Sequence, residues 1–202
     1  MTVTWLGHSC FILESGGFRA LLDPYKEVKG LADIETEADA VYCSHSHFDH
    51  AYTEKVRLTG GKENPFAVRE ISTFHDGQGG ALRGANTVRK FTAGGVSVAH
   101  LGDLGHALSP EQLAELGPCD AVLIPVGGYY TIDAPAAKAV ADAIGASVVA
   151  PMHYRNGPVG FDVLGTLEDF TGLYPAEMVK RYGSSLTVEK DMPRQVAVLT
   201  LG

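Results

Sequence analysis

The chain has 202 residues, of which 45% are hydrophobic and 24 are glycine. That length is ample for one buried core and too short for two ordinary domains, so we expect a single domain over residues 1–202. The formal net charge of −8 argues against a surface that binds nucleic acid, because such surfaces neutralise phosphates with lysine and arginine. A small anionic substrate held by a metal is still compatible with this charge.

The cysteine pattern and the lack of long apolar runs predict the compartment. Cys10, Cys43 and Cys119 are odd in number and far apart, which is typical of reduced, mostly buried residues. The first residues lack a basic region followed by an apolar core, and no run of about 18 apolar residues occurs. We therefore expect a cytoplasmic protein with no membrane partner, and a homo-oligomer remains open.

Short strands dominate the first half of the chain. Ser15-Gly16-Gly17 and Ala93-Gly94-Gly95 have the composition of hairpin turns. The stretch 53–58 has the composition of a short helix. The apolar and β-branched runs that predict strands are Thr2–Leu6, Cys10–Glu14, Phe18–Leu22, Asp39–Ser44, Phe66–Thr73, Asn86–Thr92 and Val96–His100.

Helices and strands alternate in the second half. Ser109 followed by Pro110 predicts a capped helix that ends at Gly117, and Asp133 caps a second helix that ends at Gly145. A third helix is predicted near Thr166–Gly172. The predicted strands are Asp120–Pro125, Ser147–Pro151, Leu186–Val188 and Val196–Leu201. This order of elements predicts two sheets packed face to face with helices outside.

The string His45-Ser46-His47-Phe48-Asp49-His50 follows the apolar run Ala40–Cys43 and predicts a metal site. On extended chain His45 and His47 point to the same side, so both imidazoles can share one cation. Asp49 and His50 would face opposite ways on extended chain, and a turn would swing both toward a second cation. No cysteine lies in the string, so a structural zinc site is not expected.

Further ligands are expected at other strand ends, where loops converge. His75 follows a predicted strand and precedes a glycine-rich loop. Asp103 lies between Gly102 and Gly105, which allow close backbone approach, and a carboxylate can bridge two cations. His153 also follows an apolar run. We predict that all three are metal ligands.

Other residues are candidates for roles beside the metals. His8 and either Tyr129 or Tyr130 are candidate catalytic groups, with Tyr129 taken as the first choice of the two tyrosines. Asp23 is expected to fix a loop or to orient a ligand, whereas His100 is expected to be structural. His106 and Arg155 remain open as substrate contacts, Arg155 for an anionic group.

These motifs resemble the metallo-β-lactamase superfamily over nearly the whole chain. The segments Thr4-Trp5-Leu6-Gly7-His8-Ser9, Pro125-Val126-Gly127-Gly128 and Pro151-Met152-His153-Tyr154 are similar, more narrowly, to its small-hydrolase branch related to ascorbate-phosphate lactonases. The resemblance implies an α+β four-layer αβ/βα sandwich of two mixed sheets flanked by helices. It also implies one metal held by His45, His47 and His75, a second held by Asp49, His50 and His153, and Asp103 with a water or hydroxide between them.

The expected function is a dinuclear metal-dependent hydrolase in which a metal-bridging hydroxide cleaves an ester-like bond, a lactone or phosphoester, of a small molecule. Asp49 would orient the nucleophile and carry a proton to the leaving group. The nitrogen and oxygen ligand set favours zinc and leaves manganese or iron open.

Three alternatives remain at this point. A phosphodiesterase or ribonuclease of the same superfamily is disfavoured by the acidic net charge and the absence of an inserted domain. An iron-dependent oxidoreductase is disfavoured because His47 stands where diiron oxygen reductases usually carry glutamate. A non-catalytic metal-binding protein would bind metal without turnover.

Overall fold

The computed structural model describes residues 1–202 and is built from fourteen strands, three α-helices and one short 3-10 helix at Ala176–Met178. In chain order the strands are β1 (Thr2–Gly7), β2 (Cys10–Ser15), β3 (Phe18–Leu22), β4 (Thr36–Ala38), β5 (Ala40–Tyr42), β6 (Val56–Leu58), β7 (Ala67–Phe74), β8 (Ala85–Ala93), β9 (Val96–His100), β10 (Ala121–Pro125), β11 (Val148–Met152), β12 (Val179–Arg181), β13 (Ser185–Thr187) and β14 (Gln195–Val198). The helices are α1 (Pro110–Leu116), α2 (Ala134–Ile144) and α3 (Leu167–Thr171).

Two large mixed sheets form the body of the molecule. The five-stranded sheet has the order β13-β1-β2-β3-β5, and the seven-stranded sheet has the order β12-β14-β11-β10-β9-β8-β7. The short strands β4 and β6 pair in parallel as a third sheet. Two mixed sheets with few helices confirm the predicted α+β sandwich of the metallo-β-lactamase type.

Strand β2 shows how the first sheet is buried on both faces. Phe11 and Leu13 belong to the main core of 43 residues, together with apolar side chains of the seven-stranded sheet. Cys10 and Ile12 point the other way, because successive side chains of a strand alternate. They pack in a second, smaller cluster that includes Val28 from the chain between β3 and β4.

The helices flank the seven-stranded sheet. Helix α1 contacts β7, helix α2 contacts β10, and α3 packs against α2. Over the outer face of the five-stranded sheet, loop side chains such as Tyr25, Val28 and Ile34 fill the position where a helix was expected. None of the helices is long and apolar enough to span a bilayer.

The helix caps agree with the sequence. The Ser109 side chain accepts from the backbone N–H of Gln112, and Pro110 occupies the first turn of α1. Asp133 caps α2, which ends at the left-handed Gly145. The predicted starts and ends of α1 and α2 are therefore confirmed.

The predicted helix over 53–58 is wrong. Residues Val56–Leu58 form strand β6, which pairs in parallel with Thr36–Ala38. The Glu-Lys-Val-Arg-Leu composition favours a helix, but a partner strand satisfies these backbone groups and overrides a weak local preference. The chain nevertheless turns after the histidine string, because the N–H groups of His50 and Ala51 both donate to the carbonyl of His47 at 2.9 Å.

The topology brings several strand ends to one edge of the molecule. Strands β9, β10 and β11 are parallel, and β7 runs in the same direction because β8 is antiparallel to both β7 and β9. Their carboxyl ends therefore lie at the same edge, beside the end of β5. The segments that follow these strands carry His45, His75, Asp103 and His153.

Candidate metal centre

The first group of ligand atoms comes from three histidines on two loops. One side-chain nitrogen each of His45, His47 and His75 lies within 4.8 Å of the others. His45 and His47 leave the end of β5, while His75 follows β7. The structure thus brings the distant His75 to the string.

A second group lies directly beside the first. One ligand atom each of His8, Asp49, His50 and His153 lies within 4.8 Å of the others. The turn after His47 directs Asp49 and His50 toward this group. The sequence made His8 a candidate catalytic group beside the metals. In the structure its ring lies within this second group, with Nε2 3.3 Å from Oδ2 of Asp49.

Asp103 lies between the two groups. Its Oδ2 atom is 3.1 Å from Nε2 of His75 and 4.0 Å from Nε2 of His45, both in the first group. The same oxygen is 3.2 Å from Nε2 of His50 and 3.3 Å from Nε2 of His153, both in the second group. One carboxylate oxygen therefore faces both groups.

Hydrogen bonds behind the ligands set which ring nitrogen faces the site. Nδ1 of His50 lies 2.8 Å from Oδ2 of Asp23, so this nitrogen carries the proton and donates it. The Ser44 hydroxyl donates to the same Asp23 oxygen at 2.6 Å, and it accepts from Nδ1 of His45 at 2.9 Å. The Nε2 atoms of His45 and His50 are therefore the ring atoms that face the site.

Asn86 and Gly102 position the loop that carries Asp103. The Asn86 side chain donates to the carbonyl of Leu101 at 2.9 Å and to Oγ1 of Thr73 at 2.8 Å. Its oxygen accepts from the backbone N–H of Asp103 at 2.9 Å. A Cβ at Gly102 would lie 2.3 Å from Oδ1 of Asn86, so this close approach requires glycine.

The backbone is strained at the same place. His8, Asp23 and His153 have positive φ angles of 51°, 44° and 54°, a region that side chains other than glycine rarely adopt. Such strain costs of the order of 1–3 kcal/mol per residue and is characteristic of functional sites. The surrounding contacts maintain it, among them a hydrogen bond from the backbone N–H of His153 to the carbonyl of His8 at 3.3 Å.

Seven buried polar atoms of the two groups and of Asp103 lack a hydrogen-bond partner, among nine such atoms in the whole molecule. They are Nδ1 of His8, Nε2 of His45, Nε2 of His50, Nδ1 of His75, Oδ1 of Asp103 and both ring nitrogens of His153. Each unsatisfied buried group costs about 1–3 kcal/mol, so a folded protein does not concentrate them without a compensating ligand. Nitrogen and carboxylate oxygen are the donor set of divalent zinc, manganese and iron. The residues fit metal binding.

Burial and neighbouring charges set the protonation of the candidate ligands. Burial, together with nearby His50, lowers the pKa of His45 to about 3, and burial with His153 lowers the pKa of His8 to about 4. Burial opposes ionisation of Asp103, but His153 and His50 hold its pKa well below the usual range. At neutral pH His8 and His45 are therefore neutral and Asp103 is a carboxylate, which are the forms that bind metal. Burial opposes the charged form of His50, but Asp103 and Asp23 lie beside it and raise its pKa, so a cation bound there would take the place of a proton.

A cavity of about 280 Å³ opens onto these groups. Its lining combines ligand side chains with one arginine and three aromatic rings. The lining residues are His47, Phe48, Asp49, His75, Arg83, Asp103, Tyr130 and Phe161. The cavity admits a small molecule to the face of the site that Asp49 and Asp103 line.

Of the remaining candidate residues, one lines the cavity and the others do not. Tyr130 lines the cavity, whereas Tyr129 is 66% exposed and packs its ring against Tyr130. Tyr129 was the first choice from the sequence, but Tyr130 lies in the cavity wall, because the chain turns at Tyr129 with a positive φ of 57°.

Three further residues lie outside the cavity. His106 accepts from the backbone N–H of Phe74 at 3.0 Å, beyond the glycine-rich loop. His100 bonds the carbonyl of Ser9 at 2.9 Å, in agreement with the structural role expected for it. The Arg155 side chain donates to the carbonyl of Leu164 at 3.4 Å.

Three contributors to the site were not predicted from the sequence. Arg83 and Phe161 line the cavity, and Ser44 orients His45. None of them belongs to a ligand motif. Ser44 precedes the histidine string directly, which is the one signal that pointed to it.

Comparison with known proteins agrees with this geometry. Residues 2–153 match the family described as a beta-lactamase superfamily domain. A UPF0173 metal-dependent hydrolase of Korarchaeum cryptofilum is 30% identical over 78% of this chain and 84% of its own. A second UPF0173 metal-dependent hydrolase, from Carboxydothermus hydrogenoformans, is 28% identical over 84% of this chain and 91% of its own.

A crystal structure from Thermotoga maritima shares both the fold and much of the sequence. It is named as a proposed Zn-dependent hydrolase of the metallo-β-lactamase superfamily, with a TM-score of 0.79 and 35% identity over 100% of this chain and 99% of that chain. The matched region contains the string, His75, Asp103 and His153. The chain therefore belongs to the metallo-β-lactamase superfamily, among its metal-dependent hydrolases.

Proposed function

We propose that this protein is a dinuclear hydrolase that cleaves an ester-like bond, a lactone or a phosphoester, in a small molecule. The observation that carries the proposal is the position of Asp103, whose Oδ2 atom lies within 4.0 Å of Nε2 atoms from both ligand groups. A carboxylate can bind two cations at once, whereas an imidazole cannot. Its central position therefore supports a pair of metals rather than one.

We assign His45, His47 and His75 to one cation, Asp49, His50 and His153 to the other, and Asp103 to both. Bound cations supply Lewis acidity and bring the pKa of water toward neutrality. The nitrogen-rich ligand set and the relative named as a Zn-dependent hydrolase favour zinc. Manganese and iron fit the same donors.

Asp49 is the acid–base candidate because its carboxylate lines the cavity. Burial opposes its ionisation, but the hydrogen bond from His8 and the charge of His50 lower its pKa, so it is a carboxylate at neutral pH. In that form it accepts a hydrogen bond from the attacking water and then carries the proton to the leaving oxygen. His8 is buried behind Asp49 and has the role of positioning that carboxylate.

Tyr130 lies in the cavity wall with its ring 6.1 Å from that of Phe161. We assign its phenol to the oxyanion that develops when the ester carbonyl or phosphoryl group is attacked. Tyr129 has the role of supporting this ring, because the two aromatic rings meet edge to face at 4.8 Å.

The size of the cavity, about 280 Å³, supports a small substrate rather than a polymer. The resemblance of the segments around His8, Gly128 and His153 to lactonases of the superfamily supports a lactone as the first substrate class to test. A phosphoester fits the same chemistry.

The test is a hydrolysis screen over lactones, phosphodiesters and thioesters, with protein reconstituted separately with zinc, manganese and iron. Asp103→Asn is compared with Asp191→Asn, the same chemical change at an exposed site. We expect two metal ions per wild-type chain and turnover of at least one ester class. Asp103→Asn is expected to lose a metal ion and nearly all activity. Unchanged turnover in Asp103→Asn, or one ion per wild-type chain, would sink the dinuclear mechanism.

A further inference from the structure

The cavity is lined by one arginine, Arg83, and the mechanism above does not use it. The residue is half-buried, and its guanidinium lies 5.6 Å from the ring centroid of Tyr130. Arg57, Arg89 and Arg194 all pair with carboxylates, whereas Arg83 makes no ion pair and its side chain donates no hydrogen bond. A half-buried guanidinium without an acceptor is available to bind a carboxylate or phosphate group.

The loop between β7 and β8 fixes the position of Arg83. The Asp76 carboxylate accepts four backbone hydrogen bonds from this loop, including one from the N–H of Arg83 at 2.8 Å and one from that of Leu82 at 3.0 Å. The others come from Gln78 and Gly80. The base of the loop is closed by a hydrogen bond from the N–H of His75 to the carbonyl of Gly84 at 3.0 Å. One braced loop therefore carries a metal-ligand candidate at one end and a free guanidinium at the other.

The rest of the wall is aromatic. Phe161 lies 6.1 Å from Tyr130 and 6.5 Å from Phe48, measured between ring centroids. Phe48 is partly exposed at the mouth. A substrate in this cavity thus meets ligand side chains on one side, apolar rings on the other and the Arg83 charge at a fixed point.

We propose that Arg83 binds a carboxylate or phosphate group of the substrate while the three rings contact its apolar part. The substrate class is then an anionic, partly apolar ester or lactone. This inference rests on the proposed function for the reaction, but anion binding by Arg83 is measurable without turnover. It also moves the anion-binding role from Arg155, whose side chain lies outside the cavity.

Binding is tested with probes that cannot be hydrolysed. Benzoate, phenylphosphonate and the neutral benzamide are titrated by calorimetry into zinc-loaded wild type, Arg83→Gln, Arg83→Lys and Arg181→Gln. The last variant makes the same charge change on an exposed strand residue. Thermal unfolding and zinc content establish that each variant is folded and loaded.

We expect the Kd of at least one anion to rise about ten-fold or more in Arg83→Gln, as for the loss of a charge-assisted hydrogen bond. Arg83→Lys should recover part of the affinity, because it restores the charge but not the two-pronged geometry. Arg181→Gln should match wild type, and benzamide should not distinguish the proteins. The better of the two anions identifies the carboxylate or phosphate class. Equal Kd values in wild type and Arg83→Gln, or no binding of either anion to wild type, would overturn the proposal.

A second measurement separates this proposal from the proposed function. 4-Nitrophenyl acetate and 4-nitrophenyl hemisuccinate release the same chromophore, but only the hemisuccinate carries a carboxylate. We expect the ratio of their kcat/KM values to favour the hemisuccinate and to fall about ten-fold in Arg83→Gln. Cleavage of both esters with an unchanged ratio refutes the role of Arg83 while hydrolysis stands. Arg83-dependent anion binding without cleavage of any ester refutes the proposed ester hydrolysis and leaves the anion site in place.

Discussion

Nδ1 of His50 donates to Oδ2 of Asp23 across 2.8 Å, and both side chains are buried. The pair fixes the ring so that Nε2 points toward Asp103, at 3.2 Å from its Oδ2 atom. Asp23 also accepts from the backbone N–H and the hydroxyl of Ser44 at 2.6 Å each. The Asp23 carboxylate therefore connects the end of β3 to the start of the histidine string. It orients candidate ligands without being a candidate ligand itself.

Replacing Asp23 with Asn is expected to weaken zinc binding about 10- to 100-fold, because partners behind a ligating histidine typically contribute that much affinity. The amide loses the charge that favours the Nδ1 proton of His50. The measurement is competition with a chelator of known affinity. Asp191→Asn is the control, and an unchanged zinc affinity in Asp23→Asn would show that the contact is only structural.

We expect removal of the Asn86 side chain to destabilise the protein, because this side chain holds the loop that carries Asp103. In Asn86→Ala the carbonyl of Leu101 and the N–H of Asp103 lose their side-chain partner in a buried site. Each such group costs about 1–3 kcal/mol of unfolding free energy, measured by urea denaturation. Asn156→Ala, at an exposed position, should stay within about 0.5 kcal/mol of wild type. Equal midpoints for the two variants would contradict the prediction.

Gly105 allows the loop after Asp103 to pack directly against the backbone of His75 and Asp76. A Cβ at this position would lie 2.2 Å from the backbone nitrogen of Asp76 and 2.4 Å from the carbonyl carbon of His75. Gly105→Ala must therefore displace His75, and we expect reduced metal content and a lower melting temperature. At Gly183 an added Cβ meets nothing within 4 Å, so Gly183→Ala is the matched control. Full metal content in Gly105→Ala would show that the loops can separate without moving the ligand.

We expect the stability of the protein to depend on pH through Asp39, which lies away from the metal centre. Its carboxylate accepts from the Thr59 hydroxyl and the N–H of Arg19 and pairs with Lys62, and these contacts lower its pKa to about 2. A carboxylate whose pKa is lower in the folded state than in the unfolded state stabilises the fold. This stabilisation is complete above the pKa of the unfolded state, near 4, and it is lost as the pH falls through the pKa of the folded state, about 2. We expect Asp39→Asn to be less stable than wild type at pH 7. The urea midpoints of Asp39→Asn and wild type should converge as the pH is lowered to 2. A difference between them that stays constant with pH would contradict the prediction.

The sequence predicted the site where residue type and strand-end position coincide. His45, His75, Asp103 and His153 each follow a strand, and the parallel order of β9, β10 and β11 brings strand ends together. The pattern could not say that His8 would join the same group, because its position depends on the pairing of β1 and β2. Local composition carries no information about that distance.

Two other features depended on tertiary contacts that no local pattern carries. The stretch 53–58 has helix-forming residues, yet its pairing with β4 makes it a strand. Arg83 lies in a glycine-rich loop whose shape is set by a single carboxylate, Asp76, and the sequence shows neither the bracing nor the direction of the side chain. For the same reason, the sequence did not predict the aromatic wall of the cavity.

The ligand candidates are spread over the chain from His8 to His153, a separation of 145 residues. The unfolded chain retains the string from His45 to His50 but has no means of holding His8, His75, Asp103 and His153 beside it. Metal therefore binds the folded state more tightly, and the difference in binding free energy adds to the free energy of unfolding. A chelator should then lower the melting temperature of the protein as well as its activity.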